Sequence, residues 1–191
     1  KKWDKGVLAT FRERMEKLQT SMFTRKALWK LIAPLIVEQI LAVTIGLADT
    51  FMVSQCGEAA VSGVSLVDTL NILLINIFSA LATGGAIVSS QYIGREEPEN
   101  ANIAAKQLVL VTAGISTLLM AVCLIGNHGI LDVIFGRVET DVAGNAYTYF
   151  FWSALSYPFI ALYNAGAALF RAMGNSRVSM LVSLLMNILN I

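Results

Sequence analysis

Apolar residues in this chain fall in long unbroken runs, not in strict alternation, and the polar positions gather between the runs. That pattern predicts membrane-crossing helices before anything else. About 30 Å of hydrocarbon at about 1.5 Å per residue needs roughly 20 residues. Four runs reach that length, at about 31–53, 62–90, 107–125 and 146–170, and a fifth, 178–191, stops after fourteen residues. The expectation is an all-α, polytopic membrane helix bundle whose fifth helix is incomplete at Ile191, as in a piece of a longer protein.

Ahead of the first run, residues 1–30 predict a cytoplasmic amphipathic segment. Val7, Leu8, Phe11, Met15, Leu18 and Met22 recur at helical spacing over residues 7–29, with Arg12, Arg14 and Lys17 between them. Such a helix can lie on anionic lipid, or simply extend the first span into the cytoplasm. The first run is too long for a signal-peptide core and no cleavage site follows it, so it reads as a retained helix. The 126–145 segment reads as the longest loop, outside and weakly acidic. No repeat, low-complexity stretch or inserted soluble domain is visible.

Composition agrees with the runs: 56% of the 191 residues are hydrophobic and 14% charged, with mean hydropathy +0.66, outside the soluble range. Charge adds orientation. Nine Lys and Arg precede the first run, Arg95 and Lys106 separate the second from the third, and Arg171 and Arg177 the fourth from the fifth. Only Arg137 falls on the other side. The positive-inside rule then puts the N-terminus in the cytoplasm of a multi-pass protein of the cell membrane. Lys and Arg total 14 against 13 Asp and Glu, so net charge points to no nucleic-acid partner.

Catalytic motifs are missing. There is no HExxH and no Walker A loop, and the single histidine, His128, is too isolated for zinc or a Ser-His-Asp relay. Gly84, Gly85 and Gly94 end an apolar span and suit close helix packing better than a nucleotide loop. Cys56 and Cys123 form no CxxC pair. The chain predicts neither an enzyme nor a cofactor.

Polar groups inside the runs carry the remaining information. Glu38, Gln39 and Asp49 interrupt the first. Eleven residues separate the two carboxylates, which puts them about 20° apart in azimuth and about 16 Å apart along the axis. They share a face, yet lie too far apart for a carboxylate pair, which needs about 5–10 Å. An acid near mid-bilayer costs about 2.5–3.5 kcal/mol on insertion scales. Either it is hydrogen-bonded between helices for structure alone, or it serves as a proton or cation site, since an apolar setting rewards whatever neutralises the charge. In the second span Asp68, Asn71, Ser79 and Thr83 fall within about 60° of one azimuth, with Asn76 a little further round. Asp68 matches the level of Asp49, and Asn187 and Asn190 of the fifth run reach it too. Asp49, Asp68 and Asn190 would offer Na⁺ hard oxygen ligands, although amides bridging helices give the same pattern.

Pro34 and Pro158 are hinge candidates. Pro34 is close enough to the start of the first run to mark only a first turn. Pro158, beside Tyr157, Tyr163 and Asn164, sits mid-span. Tyr147 and Trp152 read as interface anchors.

Three stretches resemble one family. "LIAPLIVEQILAVTIGLADTFMVSQCGEAAVSGVS" resembles the first-helix signature of the multidrug and toxic compound extrusion (MATE) family, with Pro34 fifteen residues before Asp49-Thr50. "ATGGAIVSSQYIG" resembles its helix-two exit, and "ALFRAMGNSRVSMLVSLLMNILN" its passage from helix four to five. The resemblance covers about residues 28–191; Val178 or Ser179 stands where many members have proline, a departure that bears on the local turn. It implies the first lobe of a two-lobe exporter of six helices each, with substrate between lobes and the C-terminal lobe as partner. It matches Asp49 and Asn190 to residues of cation coupling, while Glu38, Asp68 and Asn187 look like features of some branches only. The implied activity is a secondary antiporter that exports amphipathic, often cationic compounds, driven by Na⁺ or H⁺, with the lipid bilayer as a further partner. Glu38, Gln39, Asn71, Asn76, Tyr157 and Asn164 remain substrate-facing or structural. Two alternatives stay open: a lipid-linked oligosaccharide flippase of related architecture, and a membrane enzyme or scaffold.

Overall fold

A computed structural model of the chain describes residues 25–136 and 138–190. Most of the amphipathic segment expected at 7–29 therefore lies outside the described residues, as do Arg137 and Ile191. Six helices follow in order among the described residues: α1 Arg25–Ser54, α2 Glu58–Gly94, α3 Pro98–Ile125, α4 Asn127–Phe135, α5 Thr140–Ala172 and α6 Ser176–Asn190. No strand occurs among the described residues.

The helices outrun the apolar runs that predict them, because a spanning helix continues into the interface once its hydrocarbon-length core ends. Residues 25–30 accordingly belong to α1. Pro98 opens α3 at its first turn, where the missing N–H has no partner to lose. The supposed outer loop is mostly helical. Its Asn127–Phe135 segment is too short to span, but it buries Leu131 against the bundle. Nine residues give a 3.6-residue period little room to declare itself.

Two turns at one end of the bundle use the Schellman arrangement, in which crossed backbone bonds satisfy the last carbonyls of a helix. After α5, Gly174 has φ 75°, and the N–H groups of Asn175 and Gly174 donate to the carbonyls of Phe170 and Arg171, both at 2.9 Å. Glycine takes that conformation without a Cβ penalty. After α2 the same place is filled by Glu96 at φ 60°, with Glu97 N–H to Tyr92 O and Glu96 N–H to Ile93 O, both 3.0 Å. This end carries Arg25, Lys26, Lys30, Arg95, Arg171 and Arg177, and is the basic end below.

Helices α2, α3 and α5 make the tight part of the bundle. Val67 and Phe78 of α2 pack with Cys123 of α3, Leu131 of α4 and Phe150, Ala154, Tyr157 and Ala161 of α5. Towards the basic end Ala82 and Ala86 meet Leu108, Ala165 and Ala168. The buried stripe of α5, spaced by three and four residues, is largely alanine, and small side chains let backbones approach. Gly63 shows how closely: a Cβ there would lie 2.8 Å from the Val142 carbonyl oxygen of α5.

Helices α1 and α6 stand apart from that core. Neither contributes a residue to either cluster, and α1 packs chiefly on α6. Pro34 is the buried residue of α1 among the described side chains. It is the tenth residue of the helix, so it does not mark a first turn: its ring leaves the Lys30 carbonyl without an intrahelical donor. Pro158 does the same to Ala154 within α5.

Ile40, Val43, Leu47 and Phe51 of α1 are exposed. Leu28–Ser54, Glu58–Gly94 and Pro98–Ile125 are long and apolar enough to cross a membrane. At 33 residues α5 is also long enough, but its Tyr, Ser and Asn make it less apolar, as suits a central helix.

Candidate functional site

At the end opposite the basic one, α1 and α2 part to form a cavity of about 450 Å³. Gly46, Asp49, Thr50, Met52 and Val53 of α1 line it, with Val61, Val64, Ser65 and Asp68 of α2 and Tyr149 of α5. Two carboxylates from different helices therefore share one space, with no Lys, Arg or His among the lining residues.

The hydroxyls sharpen its chemistry. Thr50 Oγ1 donates to the Gly46 carbonyl and Ser65 Oγ to the Val61 carbonyl, both at 2.8 Å. Tyr149 Oη donates to Asp68 Oδ1 at 3.0 Å. A hydroxyl has one proton and two lone pairs. With the protons committed, what remains to offer a ligand is oxygen lone pairs, an environment for a proton or a hard cation.

Behind Asp68 the polar contacts run inward. Asn71 Nδ2 lies 3.4 Å from Asp68 Oδ1 and 3.3 Å from Ser153 Oγ. Tyr157 Oη, buried beside Phe78, donates to Asn71 Oδ1 at 2.8 Å. Tyr149, Ser153 and Tyr157 lie four residues apart on one face of α5, and that spacing opposite Asp68 and Asn71 is the signal from which Tyr149 and Ser153 could have been found.

Glu38 belongs to a second cluster, nearer the basic end. Its Oε1 accepts from Arg171 Nη1 of α5 at 3.2 Å and from Tyr163 Oη at 3.4 Å, and its Oε2 accepts from Ser179 Oγ of α6 at 2.9 Å. Tyr163 Oη is also 2.9 Å from Ser183 Oγ of α6. Arg171, which from sequence serves only to orient the chain, sits in the last turn of α5 and reaches back to an acid on α1.

The other residues singled out from sequence are dispersed. Asn187 is buried, its amide donating to the Ser183 carbonyl at 2.9 Å, and it is not among the residues lining the cavity. Asn190 is the last residue of α6. Gln39 and Asn76 are exposed, and Asn164 and Pro158 half-buried. Among the described residues no group of three or more His, Cys, Asp or Glu could hold a metal ion, so any cation in the cavity would rest on two carboxylates with hydroxyl help. The exposed His128 stacks on Tyr147 with ring centroids 4.0 Å apart, and Tyr147 Oη donates to Asp132.

Comparison with known proteins gives a consistent result. The family model described as MatE matches residues 34–191. The chain is 28% identical over 173 residues to an uncharacterized transporter, YisQ, of Bacillus subtilis (strain 168), covering 86% of this chain and 36% of that protein. Its fold is similar to that of a MOP superfamily transporter from Pyrococcus furiosus, with a TM-score of 0.79 at 19% identity, over 85% of this chain and 35% of that one. The chain spans about a third of the length of both relatives.

Proposed function

The chain belongs to the MatE family of multi-pass membrane transporters, and from that premise we propose that it is the part of a cation-coupled secondary antiporter in which the coupling ion, Na⁺ or H⁺, binds between Asp49 and Asp68. The exported compound is an amphipathic, cationic small molecule. The N-terminus faces the cytoplasm, which puts the cavity in the outer half of the cell membrane.

The observation that carries this reading is the cavity itself: two carboxylates and spent hydroxyls, with no basic side chain on its walls. Two like charges in one space repel, and a bound cation removes that repulsion. Occupancy then favours the arrangement in which α1 and α2 stay close, and release favours the other, so each ion shifts a two-state equilibrium. A flippase of lipid-linked oligosaccharides would instead need a cationic groove for its phosphates.

Replacing Asp49 with Asn in the full-length protein tests the assignment. The expected result is loss of cation-driven efflux with membrane insertion intact; efflux at the parental rate would overturn it.

A further inference from the structure

Glu38 and Arg171, with the neighbouring contact of Tyr163 and Ser183, join two parts of the bundle that no apolar cluster of the described residues joins. The apolar clusters bind α2, α3, α4 and α5 to one another and, among the described residues, include nothing from α1 or α6. Where α6 is buried, at Ser176, Ser179 and Asn187, it is polar. Leu181, Leu184 and Leu185 on the same helix are exposed. The chain thus divides into a core of α2 to α5 and a pair of α1 with α6, and at Glu38 three helices from both parts meet through one carboxylate.

We propose that the Glu38–Arg171 ion pair is a latch holding the α1–α6 pair against α5, whose opening lets α1 and α6 move as one body past the core. Three features suit it to open and close. The bonds around it are polar, so they part without leaving an apolar void. Arg171 is 33% exposed against 12% for Glu38, so the guanidinium can turn to water when it lets go. Glu38 is not abandoned either, because Ser179, which moves with it on α6, still donates to it. Breaking the pair therefore costs less than stranding a fully buried charge.

The latch acts on the cavity through α1. Asp49 rides on the same helix as Glu38, while Asp68 belongs to the core, so motion of α1 changes the space between the two carboxylates. That link rests on the cation reading above; the latch itself does not, because its test reads distance and not transport.

The test uses the full-length protein in lipid, with Cys56→Ser and Cys123→Ala as background and spin labels at Lys30→Cys on α1 and Glu96→Cys at the end of α2. Pulsed electron resonance should give one dominant distance in the parent. Glu38→Gln and Arg171→Gln should each raise a second distance about tenfold in population, and the charge exchange Glu38→Arg with Arg171→Glu should return it to the parental level. Parental distributions in both single variants would overturn the latch, and so would failure of the exchange to restore them. Should the charge-removing variants not insert, Glu38→Asp, which keeps both charges but draws the carboxylate back by one methylene from Arg171 Nη1 at 3.2 Å, decides: an intermediate second population supports the latch, and a parental distribution overturns it.

Discussion

Tyr149 of α5 and Asp68 of α2 meet at the wall of the cavity, hydroxyl to carboxylate oxygen at 3.0 Å. This bond fixes one oxygen of Asp68 and turns the tyrosine proton away from the cavity, leaving the other oxygen for a ligand.

Tyr149→Phe removes that donor and one lone-pair oxygen while keeping the ring. A hydrogen bond to a charged group is worth about 1.5–3 kcal/mol, so apparent affinity for the coupling cation should fall by roughly 10- to 100-fold. The maximal efflux rate should change little. Cation titrations of efflux in vesicles check this, and unchanged half-saturation would remove Tyr149 from the site.

Tyr157→Phe should act differently, although its hydroxyl belongs to the same network. Tyr157 is 1% exposed, and without it Asn71 Oδ1 loses its donor in a dry interior. An orphaned buried acceptor costs about 1–3 kcal/mol. Thermal unfolding in detergent should show the loss, with the cation half-saturation moving less than for Tyr149→Phe.

How far these arrangements can be read from sequence depends on the kind of contact. Asp49 and Asp68 stand out because a carboxylate in an apolar run is costly, and helical periodicity alone predicts their common level. Tyr149 and Ser153 do not stand out, since tyrosine and serine at a membrane interface have other uses. Arg171 is read as a loop charge because the apolar run ends at Phe170; only the longer helix shows it reaching Glu38, 133 residues away. Asn187 shows the reverse: helical spacing brings it near the level of the carboxylates, yet its amide bonds its own helix.

Close packing yields a contrast between two glycines. A methyl at Gly63 would meet backbone, 2.8 Å from Val142 O and 3.0 Å from Ala146 N, so α2 and α5 must separate. At Gly85 the obstacle is the Leu108 side chain, which can rotate. Overpacking typically costs about 1–3 kcal/mol; Gly63→Ala should sit at or above the top of that range and Gly85→Ala at the bottom, as thermal unfolding of the two variants would show. Equal losses would contradict the backbone contact.

Glu96 offers a stabilising change. It occupies the left-handed position of the turn after α2 at φ 60°, where a side chain costs roughly 1–2 kcal/mol. Glu96→Gly removes that penalty but gives back unfolded-state entropy, for a net gain of about 0.5–1 kcal/mol. A raised unfolding midpoint is expected, and a lowered one would mean that the glutamate makes a compensating contact.

The two cysteines report orientation. Cys56 is exposed in the turn between α1 and α2, at the end that holds the cavity, while Cys123 is buried in the core. The basic end should face the cytoplasm, because Lys and Arg are retained there, and that leaves Cys56 outside. A membrane-impermeant maleimide added to intact cells should therefore modify Cys56 rapidly, and Cys56→Ser should abolish the fast reaction. Cys123 reacts only when the core opens locally, so it contributes a slow phase that denaturant accelerates. Fast labelling that appears only after the cells are permeabilised would reverse the orientation, and would place the cavity of Asp49 and Asp68 in the cytoplasmic half of the membrane.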